Sequence, residues 1–305
     1  MKKKIIAIIV AIVLIIPISC GWSNFLTEYF FDAELASSSQ LKFEKISDTE
    51  AEVVVGYYSD YWSSITVPIK VMIGLRIYKV TSIGEKSFIY CDKSKIIIPE
   101  GVTNIGEQAF FGCNKLTSIE IPKGVTNIKN GTFSGCERLE SIGIPESVTS
   151  IGERAFSGCE SLTHIEIPEG VTSIGERAFS GCIGLIRIKI PEGVASIGER
   201  AFYGCRSLTS IKIPKYVTSI GENAFSGCTN LSSIEIPEYV TSIGNNTFTG
   251  CIGLTSIKIP KSVTSIGEDA FGGCNNLEIV IDNSENNVKV EESAFKGCKS
   301  VKWLK

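Results

Sequence analysis

The chain has 305 residues, with 30 Lys+Arg against 33 Asp+Glu for a net charge of −3, and 43% of its residues are apolar. That apolar content excludes a disordered chain, and the lack of any basic block argues against a nucleic-acid partner. A single histidine, His164, removes most acid–base and metal chemistry, so composition points away from an enzyme.

The first segment reads as an address. Met1–Lys4 is basic, and Ile5–Ile18 is an unbroken run of fourteen apolar residues. As a helix that run would be about 21 Å long against a hydrocarbon core of about 30 Å, and Pro17 would break its end. Residues 1–19 are therefore expected to be a signal peptide, not a permanent span. Without Lys2, Lys3 and Lys4 the charge balance becomes 27 against 33, or −6. Pro17-Ile18-Ser19-Cys20-Gly21 resembles the lipobox of bacterial lipoproteins, in which the cysteine is acylated. Pro17 departs from that pattern, since a leucine-like residue is usual there. The resemblance implies an exported chain, lipidated at Cys20 and held at the cell surface or outer membrane. Ordinary secretion and an uncleaved anchor are the alternatives. Residues 20–40, with Phe25, Tyr29, Phe30 and Phe31, read as a spacer or an amphipathic helix.

The remainder is periodic. Cysteines at 91, 113, 136, 159, 182, 205, 228, 251, 274 and 298 recur at intervals of 22 to 24 residues, and prolines from Pro99 to Pro260 keep the same step. One unit runs Ile165-Glu-Ile-Pro-Glu-Gly-Val-Thr-Ser-Ile-Gly-Glu-Arg-Ala-Phe-Ser-Gly-Cys182-Ile-Gly-Leu185. Leu162-x-x-Ile165-x-Ile167 is expected to form a short strand, ended by Pro168, which has no N–H for a ladder. Val171 and Ile174 form a second inward pair. Gly175 turns the chain into a single helical turn over Glu176–Phe179, ended by Gly181 in the left-handed conformation. Ala178, Phe179, Cys182 and Leu185 complete the inward set. No isolated coil buries enough to offset its ordering entropy, so stability is expected from stacking.

These residues, Leu-x-x-Ile-x-Ile-Pro followed by Val-Thr-x-Ile-Gly-x-x-Ala-Phe-x-Gly-Cys, resemble the BspA-like bacterial leucine-rich repeats. The resemblance implies a right-handed leucine-rich-repeat solenoid of about ten 23-residue coils, with a parallel sheet on one face and short helical turns elsewhere. Alternating residues over 41–75 match the N-terminal β cap expected of such proteins, and 76–305 the repeat array. The polar insertion Asp282–Asn287 and Val290-Glu291-Glu292 mark an irregular last coil. Lys129 replaces the turn glycine in one coil.

The cysteine ladder allows three chemistries. One thiol per coil, without recurring histidines, makes a poor tetrahedral metal set. Stacked strands about 4.8 Å apart leave Cβ atoms beyond the roughly 3.8 Å a disulfide prefers, although an exported protein meets oxidising conditions. The preferred reading is a small buried hydrophobe packing on its own kind. No P-loop, dinucleotide fingerprint or calcium loop appears, and no cofactor is expected. The glycan acceptor patterns at Asn130, Asn230 and Asn245 follow from the repeat itself.

Functional material lies on the outward strand positions: Thr163, His164 and Glu166; Ile186, Arg187 and Lys189; Thr209, Ser210 and Lys212; Ser232, Ser233 and Glu235. A shallow polar face of this kind is how solenoids present partners. Glu153, Glu176, Glu199 and Glu222 stack beside Arg154, Arg177 and Arg200 as a solvated charge stripe. The family resemblance implies a non-catalytic, adhesin-like module that engages host matrix or plasma proteins or other cells. The membrane is contacted only through the lipid. The alternative is an envelope spacer or scaffold that binds another bacterial protein.

Overall fold

A computed structural model of the chain describes residues 41–56, 63–74 and 76–304. The expected signal peptide, lipidation at Cys20 and spacer to residue 40 all fall outside the described residues.

Two antiparallel hairpins open the structure. β1 (Leu41–Lys45) pairs with β2 (Glu50–Gly56). Between the hairpins lies β3 (Ser64–Thr66), and β4 (Lys70–Ile73) then pairs with β5 (Arg76–Ile83). β2 and β5 run parallel, so the hairpins share one sheet. These first strands feed both strand rows of the solenoid: β3 pairs with Lys95–Ile97, and the end of β5 pairs with Asn104–Ile105.

From there the 23-residue period becomes a stack of about ten coils. In the first row, short strands such as His164–Glu166 and Arg187–Lys189 lie parallel and in register, so His164, Arg187, Ser210 and Ser233 form one outward column. The second row is thinner, two residues per coil, as at Ser150–Ile151 and Ser196–Ile197, linked through bridges at Ile174. Side chains alternate in and out along each strand. Ile165, Ile167, Val171, Ile174, Ala178, Phe179, Cys182 and Leu185 are all buried, at 5% exposure or less. The expected inward set is thus the core. The phenylalanines form a continuous stack from Phe88 to Phe295, with neighbouring ring centroids 5.3 to 6.0 Å apart and nearly parallel planes. That is an offset-stacking distance and adds to area burial.

The corner between the rows differs from expectation. Glu176–Phe179 is a run of tight hydrogen-bonded turns, not a helical turn. Its amides alternate in partner. Arg177, Phe179 and Gly181 donate to the next coil, at Glu199, Ala201 and Tyr203, whereas Ala178, Ser180 and Cys182 donate three residues back within their own coil. A helix would spend every amide internally. The alternation requires left-handed residues, at Gly181 (φ 74°) and at Arg177 (φ 53°), the latter carrying a side chain where glycine would be unstrained. The same column is left-handed from Lys86 to Asp269, with Gly131 holding it in the coil where Lys129 replaces the usual glycine. Gly175 has a separate reason to be glycine. A Cβ there would sit 2.6 Å from the carbonyl carbon of Gly152 in the preceding coil. Close coil stacking, more than turn conformation, fixes that residue.

The last coil carries a 3-10 turn at Glu285–Asn287 inside the polar insertion. Its Phe295, Cys298, Val301 and Trp303 are only partly buried against the core.

Candidate functional site: the exposed sheet face

All twelve candidate residues of the strand face are exposed: Thr163, His164, Glu166, Ile186, Arg187, Lys189, Thr209, Ser210, Lys212, Ser232, Ser233 and Glu235. Strand alternation explains this. Ile165, Ile188, Ile211 and Ile234 turn inward between them and fix the register. A one-residue slip would bury Arg187 and expose Ile188, so the hydrophobic core holds the outward columns in place.

Charges on this face pair along its rim. Lys189 Nζ reaches Glu169 Oε1 of the preceding coil at 2.6 Å, and Lys212 Nζ reaches Glu192 Oε1 at 2.8 Å. Glu169 holds the Lys189 ammonium above its ordinary pKa, and Lys212 holds the Glu192 carboxyl below its own. Both pairs are open to water and worth little to stability. His164 Nδ1 lies 3.0 Å from its neighbour Thr163 Oγ1, and among the described residues it pairs with no carboxylate in the manner of a catalytic triad. Among the described residues, no three side chains of His, Cys, Asp or Glu are grouped as a metal site.

Two exposed aromatics were not singled out from the sequence. Tyr216 and Tyr239, 59% and 50% exposed, lie with ring centroids 5.7 Å apart on the rim where Gly170 and Gly193 stand in earlier coils. Lys215 Nζ lies 5.3 Å over the Tyr216 ring. The only sequence signal was the replacement of Glu-Gly by Lys-Tyr and Glu-Tyr after the strand proline.

Other motifs resolve as architecture. The Glu/Arg stripe pairs within each coil, Glu153 with Arg154, Glu176 with Arg177 and Glu199 with Arg200, not between coils. Thr132 and Thr247 of two glycan acceptor patterns are buried, their hydroxyls donating to Lys129 O and Gly244 O at 2.8 Å. Ten cysteines lie along the core as free thiols. Burial pushes the Cys182 and Cys228 thiols up to about 12, and those of Cys274 and Cys298 up to about 11. They are poor nucleophiles and poor metal ligands.

A family model for the BspA type leucine rich repeat region matches residues 81–206 and 178–302, in six copies. The chain belongs to the BspA-type leucine-rich-repeat family. A leucine-rich repeat protein from Bacteroides ovatus is 31% identical with a TM-score of 0.79, over 87% of this chain and 75% of that one. The leucine rich repeat protein of T. pallidum is 28% identical with a TM-score of 0.57, over 64% of this chain and 90% of that one. The pneumococcal vaccine antigen PcpA, at 18% identity and a TM-score of 0.56, over 81% of this chain and 80% of that one, shares the fold. The comparison with curated proteins gave no match. As a member of this family, the chain is a protein-interaction repeat module. No described helix is long and apolar enough to cross a membrane.

Proposed function

We propose that the chain is an exported, non-catalytic adhesin-like module, held at the bacterial surface by a lipid on Cys20, that binds a protein through its exposed sheet face. One observation carries the reading. Side chains vary on the outward columns, from His164 through Arg187 to Ser210 and Ser233, while the inward column of Ile165, Ile188, Ile211 and Ile234 stays constant. A rigid backing with a variable polar front, and Ile186, Tyr216 and Tyr239 exposed on or beside it, suits recognition of an extended protein surface. Partners fitting this geometry are host matrix or plasma proteins, or proteins on other cells.

The test is surface plasmon resonance of the full chain over immobilised matrix and plasma proteins, comparing wild type with Arg187→Glu/Lys212→Glu and with the second-row variant Ser196→Glu. Binding weakened by the first variant and kept by the second supports the sheet face. Binding lost equally with both would move the site elsewhere. A spacer or scaffold is the second reading, favoured by the recurring Thr-Ser pairs at 117–118, 209–210 and 255–256. It predicts no binding to any host protein.

A further inference from the structure

The sheet face is electrically polarised along the solenoid. Segments 114–124, 137–147 and 160–170, which span the outward strand columns and their rims, carry seven carboxylates and three cations. The corresponding segments 183–193, 206–216 and 252–262 carry seven cations and one carboxylate, and 229–239 among them carries Glu235 and Glu238 alone. All of these charged side chains are exposed.

The two coils that flank the one at 183–193 oppose each other column by column. Glu160, Glu166 and Glu169 occupy the same repeat positions as Arg206, Lys212 and Lys215, two 23-residue repeats later. The coil between them presents Ile183 and Ile186, 37% and 36% exposed, one on each side of the buried Leu185. Acid, apolar centre and base in that order form a self-complementary surface. A two-fold axis along the strand direction through the central coil would reverse the stacking direction and leave each column facing itself. It would set each isoleucine against its own copy and the three carboxylates of either chain against the three cations of the other. The intrachain pairs Lys189–Glu169 and Lys212–Glu192 are exposed and weak, so exchanging them for intermolecular pairs costs little.

We infer that the sheet face binds a second copy of this chain, antiparallel and face to face, about the coil that bears Ile183 and Ile186. On a surface-held protein this is homophilic contact. The inference rests on the sheet-face reading above and names the partner.

Sedimentation velocity of the full chain in detergent tests it with two exposed-surface variants, Glu160→Lys/Glu166→Lys/Glu169→Lys and Arg206→Glu/Lys212→Glu/Lys215→Glu. Thermal unfolding midpoints equal to wild type establish that both are folded. Wild type is expected to dimerise, more weakly at high salt, and each variant alone to associate about tenfold or more weakly. An equimolar mixture of the two is expected to restore the dimer, because the two flanking coils, both basic in one variant, then meet two flanking coils that are both acidic in the other. A wild type that stays monomeric at low salt, or a mixture no more associated than its components, overturns the second-copy partner. If wild type is monomeric and Arg187→Glu/Lys212→Glu still weakens binding to a matrix or plasma protein, the sheet face stands with a different partner.

Discussion

The thiol of Cys182 donates to the carbonyl oxygen of Phe156 at 3.1 Å, and that same oxygen accepts the backbone N–H of Cys159 at 3.2 Å. Each carbonyl of the phenylalanine column so serves its own coil and the next. The thiol contact recurs from Cys113 to Cys298. Cysteine is favoured because it fills a small apolar space and still supplies one weak donor. Cys182→Ala should therefore cost about 1–2 kcal/mol, part cavity and part lost bond. Denaturant unfolding of the variant checks this, and an unchanged midpoint would leave the thiol as filler.

Burial also makes these thiols inert. Among the repeat cysteines, alkylation of native protein at neutral pH should label the partly exposed Cys298 first and the others only after denaturation. Mass shifts under non-reducing, denaturing conditions should then reveal ten reactive repeat thiols. Fewer than half would mean that disulfides form.

An alkaline weakness follows from the same burial. In the unfolded chain a thiol titrates near pH 8.5, whereas in the fold Cys182 is held at about 12 and Cys274 at about 11. The folded values are raised, so the stabilising contribution is complete below about pH 8.5 and lost as pH climbs toward 11 to 12. Denaturant midpoints should fall across that window, and less steeply in Cys182→Ala/Cys228→Ala. Equal slopes would assign the loss to other groups.

Phe179 lies 5.3 Å from Phe156 and 5.5 Å from Phe202, fully buried. Phe179→Ala should cost about 3–5 kcal/mol, while Ile186→Ala on the surface should stay within about 0.5 kcal/mol of wild type. Gly175→Ala should cost about 1–3 kcal/mol, because its Cβ would meet the backbone of the preceding coil. A silent substitution would mean that the coils stack less closely than the 2.6 Å approach to Gly152 requires.

Repeat length, inward residues and outward columns were legible in the sequence because each follows from local alternation and a fixed period. What was missed depends on neighbours a full coil away. Gly175 reads locally as a turn residue, yet the carbonyl of Gly152 is what excludes a side chain there. Arg177 reads as a helix former, yet its amide is committed to Glu199 of the next coil, which forces the left-handed conformation. Cys182 reads as a hydrophobe, and only stacking reveals the Phe156 carbonyl above it. Tyr216 and Tyr239 break the repeat by one residue each, a signal visible only when coils are aligned and the rim is known to be exposed.

The functional account turns on display of the sheet face outside the cell. Protease shaving of intact cells, comparing wild type with Cys20→Ala, tests it most directly. The account predicts that wild-type solenoid is cleaved from whole cells, and that the variant is released to the medium or left unprocessed. A wild-type protein protected until the envelope is opened would contradict surface display and favour an internal scaffold.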